Sequence, residues 1–252
     1  MGSLTFYEKT PIMFKKQSLV VAFILLIITS ACAQTPKKMV FDGAAEDRNL
    51  SGFTAINLSN AFDVYISQGT EDAVAVAAND AAATKNIKTH ITGGVLYITF
   101  EQKGWGSWKN NKLKAYITVK DLQKLTVSGA CNVSFVDAIT SNRLHISTSG
   151  ASDIKGSVNV SALKVGASGA SNISLSGKAT DSDFNISGAC SIKSLNLVTE
   201  NCTVVASGAS SVRLTINQYL KANISGASDI RYKGTVSRFE TRTSGASDIK
   251  PL

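Results

Sequence analysis

The chain has 252 residues, of which 44% are hydrophobic and 17% are charged. This composition excludes a chain that is disordered throughout, because it carries enough apolar side chains for a sizeable core. The net charge of +8 is spread along the chain and lacks the basic cluster with interleaved aromatic residues that is typical of a nucleic-acid-binding protein, so we expect no nucleic-acid partner.

Residues 1–33 have the pattern of a secretory signal peptide. Lys15 and Lys16 precede an apolar run over residues 19–28, and small residues follow over residues 29–33. The apolar run is about ten residues long, whereas a membrane-spanning helix needs roughly 20. We therefore expect an exported protein without a transmembrane span in the mature chain, located in the periplasm, at the outer membrane or outside the cell.

The start and the cleavage site of this signal leave alternatives open. The segment that begins at Met13 reads as a normal signal start, which indicates that Met13 is the true initiator. Residues 31–33, Ala-Cys-Ala, fit a cut before Gln34. The same residues fit a bacterial lipobox in which Cys32 receives a lipid anchor, although Thr29 stands where leucine is usual. Both lipid anchoring and simple export remain open.

A linker is predicted over residues 34–49 and a β-rich portion over residues 50–120. Apolar and polar residues alternate there with a period of two, which indicates strands. Gly93 and Gly94 separate two such runs and predict a hairpin. This portion is either the irregular first coils of the solenoid described below or a cap on its end. The predicted strands cover residues 53–58, 64–66, 74–76, 87–91, 95–100 and 115–119.

The stretch from Glu101 to Lys112 differs from its surroundings because it holds the only two tryptophans of the chain amid glycine and lysine. Trp105 and Trp108 are candidate ligand contacts, since aromatic residues in a polar loop stack on sugar rings or form protein-binding hot spots. The alternative is that both rings pack back onto the body of the coil.

Residues 121–252 are built on a repeat. The triplet Ser-Gly-Ala occurs seven times at spacings of 18 to 21 residues. The position after the triplet is always small, and the position two residues further on is always valine or isoleucine. A near-constant period of about twenty residues is typical of a solenoid. The glycines of the triplets, which we predict to form the corners of the repeat, are Gly129, Gly150, Gly169, Gly188, Gly208, Gly226 and Gly245.

The alternation on both sides of each triplet predicts at least two short strands per repeat, without a helix of useful length. We therefore predict an all-β protein, a parallel β-helix with coils of about 19 residues stacked roughly 4.8 Å apart. Glycine suits the corners because it adopts positive φ at no steric cost. The serine column can form hydrogen bonds along the stack, and the β-branched column supplies a continuous core.

The repeat register also constrains the cysteines. Cys131 and Cys190 occupy the same column three coils apart, about 14 Å at the strand spacing. This separation exceeds the roughly 7 Å Cα distance that a disulfide allows. Cys202 falls in another inward column. We therefore predict three buried free thiols.

Nothing in the sequence predicts a catalytic, cofactor-binding or metal-binding residue. His90 and His145 each occupy an outward position on a strand, and no spacing of His, Cys and Asp suits a metal. Asp153, Asp229 and Asp248 share a column beside basic residues, but intervening coils place Asn or Ser there. This pattern favours a solvated charged stripe.

The seven phased SGAS-like motifs, together with FTAINLSNAFDVYISQG from Phe53 and AYITVKDLQKLTVSGA from Ala115, resemble the auto-transporter adhesins of the head GIN domain type. The resemblance covers about residues 50–249. It implies an exported β-helix protein of the cell envelope, and it offers no catalytic residues to transfer.

These observations predict a non-catalytic, adhesin-like binding or scaffolding protein whose partner is a glycan or an envelope protein, without a cofactor. The alternative is a polysaccharide-active β-helix enzyme, a lyase or a hydrolase, since several exported β-helices have such activity.

Overall fold

The computed structural model describes residues 45–101 and 112–252. It is 68% strand and 3% helix, and its strands form a β-solenoid of about seven turns with a spacing of ~19 residues. The predicted all-β parallel β-helix is therefore confirmed. The signal segment with Cys32 and the loop with Trp105 and Trp108 lie outside the described residues.

The elements follow one another in chain order. They are β1 (Glu46–Asp47), β2 (Ala55–Leu58), β3 (Phe62–Gln68), β4 (Ala73–Ala77), α1 (Ala81–Asn86), β5 (Ile87–Thr92), β6 (Val95–Phe100), β7 (Leu113–Val119), β8 (Lys124–Gly129), β9 (Asn132–Phe135), β10 (Ile139–Gly150), β11 (Asp153–Ala167), β12 (Asn172–Ile186), β13 (Ser191–Ala206), β14 (Ser211–Ile224), β15 (Asp229–Lys233), β16 (Arg238–Thr243) and β17 (Asp248–Pro251).

From β11 to β14, one long strand fills each coil and is interrupted only at the triplet corner. The prediction of at least two short strands per coil was wrong in this respect. Parallel pairing of β11 with β12 runs from Asp153↔Asn172 to Ala167↔Ile186, straight through the second bend of the coil. The two predicted strands therefore merge, because the ladder of hydrogen bonds between coils continues around that bend.

The core consists of inward columns that run the length of the stack. The β-branched column predicted from the repeat has an exposure of 1% or less from the second triplet coil to the sixth. Each of its side chains packs on the equivalent side chain of the next coil, because the parallel register brings identical repeat positions together. Its members are Ile154, Ile173, Ile192, Val212 and Ile230.

The N-terminal part combines the two alternatives that the sequence left open. β2 pairs in parallel with β6 and β8, and β3 pairs in parallel with β7 and β9, so these strands are coils of the same solenoid. Antiparallel strands then close this end, with β4 against β7 and β5 against β6. The β5–β6 hairpin turns at Gly93 and Gly94, as predicted. Within the predicted linker, Glu46–Asp47 pairs with β4.

The triplet corners form a backbone ladder of their own. Gly188 has φ of 91°, and Ala189 N donates a hydrogen bond to Gly169 O at 2.8 Å. A Cβ atom added at Gly188 would lie 2.5 Å from that same oxygen. Glycine is therefore required both for the left-handed conformation and for the close approach of successive coils.

An eighth corner, Ser59-Asn60-Ala61, lies one coil before the first triplet. Asn60 has φ of 75°, and its carbonyl oxygen accepts a hydrogen bond from Ala130 N at 2.8 Å. Asparagine tolerates positive φ better than most residues, which explains its use here. Sequence reasoning missed this corner because the glycine is replaced. Asp63 and Val64 follow this corner at the same distance as Asp and Ile follow later triplets. That match was the sequence signal that could have revealed the corner.

The position after the triplet carries a hydroxyl or a thiol that bonds along the stack. Ser210 Oγ donates to Gly188 O at 3.1 Å, and Cys190 Sγ donates to Gly169 O at 3.7 Å. Cys131, Cys190 and Cys202 are all buried and free, which confirms the prediction of three buried thiols. Burial raises the pKa of the Cys202 thiol to about 12. These cysteines are core residues of serine size.

Candidate functional site

The two tryptophans proposed as ligand contacts belong to a segment whose ends are described. Glu101 N donates to Asn86 O at 2.9 Å, and Lys112 N donates to Asn79 Oδ1 at 3.4 Å. The segment joins β6 to β7, which are the parallel neighbours of β2 and β3.

The outward residues of the strands that follow each corner form a surface that we call face A. It has two columns, which parallel pairing aligns from coil to coil, and a hydrogen bond from Ser174 Oγ to Lys193 O at 3.2 Å joins the second column where the register shifts. The first is a polar column and the second is largely basic. The polar column is Asp63, Asn132, Asp153, Asn172, Ser191, Ser211, Asp229 and Asp248, and the second column is Tyr65, Ser134, Lys155, Ser174, Lys193, Arg213, Arg231 and Lys250.

The first half of the polar column alternates carboxylate and amide. Asn132 Nδ2 donates to Asp63 Oδ1 at 2.8 Å, and Asn172 Nδ2 donates to Asp153 Oδ1 at 2.7 Å. Two carboxylates in adjacent coils would repel each other, so the amides keep like charges apart. The result is an ordered row of hydrogen-bond donors and acceptors on an exposed flat surface.

A pair of stacked aromatic rings lies at one end of the second column, beside the Asp63 end of this row. Tyr65 and Tyr116 are register partners on β3 and β7, with ring centroids 5.3 Å apart and an interplanar angle of 14°. Tyr116 is only 8% exposed, and it supports the half-buried Tyr65 ring from one side. Tyr65 is followed in its column by the small Ser134. This leaves room beside the tyrosine ring.

A groove of about 540 Å³ runs along face A from Tyr65 to Lys193. Its lining includes the four members of the alternating Asp/Asn row, and it also includes Lys155. The groove thus places an aromatic ring, a row of hydrogen-bonding groups and two ammonium groups along one line across several coils.

The solvated charged stripe predicted from the sequence is present, and its carboxylates are spread along the stack. Asp153 bonds to Asn172, whereas Asp229 and Asp248 lie four and five coils further along and pair with Arg231 at 3.4 and 3.0 Å. Lys250 also contacts Asp248 at 2.7 Å. These ion pairs lie at the surface, and of the three only Arg231 with Asp248 joins neighbouring coils, as is typical of a solvated face.

A second groove, of about 730 Å³, lies on the strands that precede each corner, whose outward surface we call face B. His145 lines this groove. His90 is exposed at the β5–β6 hairpin, where its ring stacks on Tyr97 at 4.9 Å. Within residues 45–101 and 112–252, no group of three or more His, Cys, Asp and Glu side chains could hold a metal ion. No helix in these ranges is long and apolar enough to cross a membrane.

Sequence reasoning did not find either groove. The signal for the face A groove was present, because aligning Ser59-Asn60-Ala61 with the later triplets puts Tyr65 in the column of Lys155 and Lys193. The position of Tyr116 next to Tyr65 could not be found in this way, because the tryptophan segment changes the length of its coil.

An all-β chain of about seven stacked turns with glycine corners defines the class of β-solenoid proteins. The profile of the family described as "Putative auto-transporter adhesin, head GIN domain" matches residues 52–236, and the chain belongs to this family. The resemblance found in the sequence is thereby confirmed. No curated protein matches the chain.

Solved structures show the same fold. A "putative adhesin" from Bacteroides fragilis NCTC 9343 superposes with a TM-score of 0.74 at 20% identity, over 86% of this chain and 98% of that one. A "putative adhesin" from Parabacteroides merdae ATCC 43184 has a TM-score of 0.63 at 18% identity, over 84% and 97%. A "putative lipid binding protein" from Parabacteroides distasonis ATCC 8503 has a TM-score of 0.62 at 20% identity, over 84% and 98%.

Proposed function

We propose that this protein is a non-catalytic binding protein of the cell surface or envelope that engages a glycan through the face A groove. Its family membership supports an adhesin-like role and a surface-exposed, exported location. The observation that carries the proposal is the supported Tyr65 ring at the end of the Asp/Asn row.

The chemistry of this groove suits a saccharide. A sugar ring has an apolar face that can stack on Tyr65, and its hydroxyls can donate to Asp63 and Asp153. They can also accept from Asn132 and Asn172. Because these groups already bond to one another, they are held in place before the ligand arrives, which lowers the entropic cost of binding. An extended glycan can follow the groove along the stack, since each coil repeats the same pair of outward positions.

Replacing Tyr65 by alanine is expected to weaken glycan binding at least tenfold, because the stacking surface is lost while the polar row remains. The measurement is binding to an array of purified bacterial and host polysaccharides, followed by calorimetry with the best binder. Tyr97→Ala at the β5–β6 hairpin is the matched control, because this half-buried tyrosine lines neither groove, and it should bind normally. A Trp105→Ala/Trp108→Ala variant tests whether the tryptophan segment contributes to the same binding. Unchanged affinity in Tyr65→Ala, or no binding by the unaltered protein, would contradict the proposal.

The same experiment addresses the alternative function of a polysaccharide lyase or hydrolase. Asp63 and Asp153 are separated by the coil that carries Asn132, and each accepts a hydrogen bond from an amide. We infer that these carboxylates act as fixed acceptors and not as an acid and base pair. Release of new reducing ends or unsaturated sugars from the bound polysaccharide would overturn this inference.

We further propose that residues 1–33 direct export and that Cys32 decides how the mature protein is held. Intact mass spectrometry with membrane fractionation should show a mature chain that lacks the residues before the signal cleavage site. An acylated mass that is lost in Cys32→Ser, together with membrane association, would establish a lipid anchor. A mature chain beginning at Gln34 would establish unanchored export. A mature protein that retains residues 1–33 would contradict the proposal of export.

A further inference from the structure

The groove on face B contains a cluster of basic side chains that the proposed glycan site does not use. Strand pairing places Lys124 and Lys164 on either side of His145 in three consecutive coils. Arg143 lies two residues before His145 on the same surface of β10, and all four residues line the groove. We call Lys124, Arg143, His145 and Lys164 the cation cluster.

Acidic side chains compensate this cluster only in part. In the part of the chain that the structure describes, Lys124 and Arg143 form no ion pair, and Lys164 reaches Asp183 only at 4.0 Å. The carboxylate of Asp121, just before β8, already accepts from Gln123 Nε2 and Ser141 Oγ, each at 2.7 Å. Like charges in register repel, so the cluster maintains a positive potential that an anion would relieve.

The pKa of His145 depends on this positive potential. Partial burial lowers the pKa of His145, and the neighbouring charges of Lys124 and Lys164 lower it further, while Asp183 acts in the opposite direction. Arg143, on the same strand, adds to the positive surroundings. A bound anion would offset these charges and raise the pKa of His145.

The rest of the groove carries acidic side chains instead of basic ones. Ala162 stands between Arg143 and Asp181 in its column, and this small side chain opens the floor of the groove. Beyond it, Asn201 Nδ2 donates to Asp181 Oδ1 at 2.8 Å, and Asp183 faces the same space. A polyanion would be repelled by these carboxylates. A ligand with one acidic group and several hydroxyls fits both halves, because hydroxyls donate to carboxylates.

We propose that face B binds an acidic saccharide, with its carboxylate, sulfate ester or phosphate ester among Lys124, Arg143, His145 and Lys164 and its hydroxyls on Asp181 and Asp183. This site is separate from the face A groove and does not depend on Tyr65.

The test uses His145 as its probe, since the chain has only two histidines. Imidazole resonances are followed by NMR while D-glucuronate, glucose 6-sulfate or glucose is added to the full mature protein. The two acidic sugars should shift the His145 signals and raise its pKa, whereas glucose should have little effect. The resonances of His90 serve as the internal reference and should not move.

Two double variants test whether the acidic sugars bind at the cation cluster. Lys124→Gln/Lys164→Gln should weaken the binding of the acidic sugars at least tenfold, because both register neighbours of His145 lose their charge. The matched control is Lys178→Gln/Lys233→Gln, which removes the same net charge from two exposed lysines that line neither groove and should bind them normally. Both variants replace exposed side chains, so equal circular dichroism spectra and melting temperatures are expected.

Three results would overturn the proposal: equal binding of glucose and the acidic sugars, no shift of His145 with either acidic sugar, or unchanged affinity in the Lys124→Gln/Lys164→Gln variant. A His145 shift caused by phosphatidylglycerol vesicles but by neither sugar would reject the saccharide in favour of a lipid headgroup. Tyr65→Ala should not alter the His145 titration, so failure of the face A site and failure of this site are distinguishable.

Discussion

Gly188→Ala is expected to lower the free energy of unfolding by about 3 kcal/mol or more. Two costs combine at this corner. The residue must adopt φ of 91°, and its new Cβ must lie 2.5 Å from Gly169 O. That oxygen belongs to the backbone of the adjacent coil and accepts the Ala189 hydrogen bond, so it cannot move without breaking the ladder. Chemical denaturation followed by circular dichroism measures the change.

Gly166→Ala is the matched control. Gly166 lies on the same solenoid but has no positive φ, and an added Cβ would meet only Ser147 Oγ at 3.8 Å. Its replacement should leave stability unchanged or raise it by up to about 1 kcal/mol, through the lower entropy of the unfolded chain. Equal losses at the two positions would show that glycine content, and not corner geometry, matters for this stack.

Phe184→Ala is expected to cost about 3 to 5 kcal/mol, because it removes a fully buried aromatic side chain and leaves a cavity. Phe184 has 0% exposure and lies between Val165 and Val204 in its column. Coils of a solenoid contact only their neighbours, so a cavity here weakens both interfaces of a central coil. The denaturation midpoint should fall accordingly.

Phe239→Ala is the control that distinguishes the cost of a buried cavity from the cost of losing an aromatic side chain. Phe239 occupies an inward position on β16, but it is 48% exposed and contacts Tyr232 with centroids 5.7 Å apart. Its replacement should cost about 1 kcal/mol, because little area is withdrawn from water there. A loss as large as that for Phe184 would mean that the last coil is packed as tightly as the central ones.

The repeat itself made much of this fold predictable. A triplet at a near-constant spacing, followed by a small and then a β-branched residue, admits few structures other than stacked coils. The columns read from it account for the position of Ile173 in the core and of Cys190 beneath a corner. The prediction of two strands per coil was wrong because each strand from β11 to β14 continues around the second bend, and between β11 and β12 the ladder continues there as well.

The candidate sites were much less predictable. Lys124, His145 and Lys164 each precede a Ser-Gly-Ala triplet by four residues, so the repeat already places them in one column, but only the structure shows the groove that they line. The Tyr65 and Tyr116 pair depends on a coil that contains the long tryptophan segment. Trp105 and Trp108 were conspicuous in the sequence, whereas the ordered grooves arise from ordinary residues at unremarkable positions.

By itself, the sequence determined that the chain is an all-β solenoid with glycine corners, a β-branched core and free thiols, since each of these depends on a local pattern repeated in every coil. The tertiary structure alone decided which outward side chains meet where a coil departs from the repeat. The register Tyr65↔Tyr116 is set by the hydrogen-bond ladder between β3 and β7, because no triplet aligns these two strands. Ligand chemistry on such a surface arises from contacts between residues that are distant in sequence, and stacking at strand spacing is what brings them together.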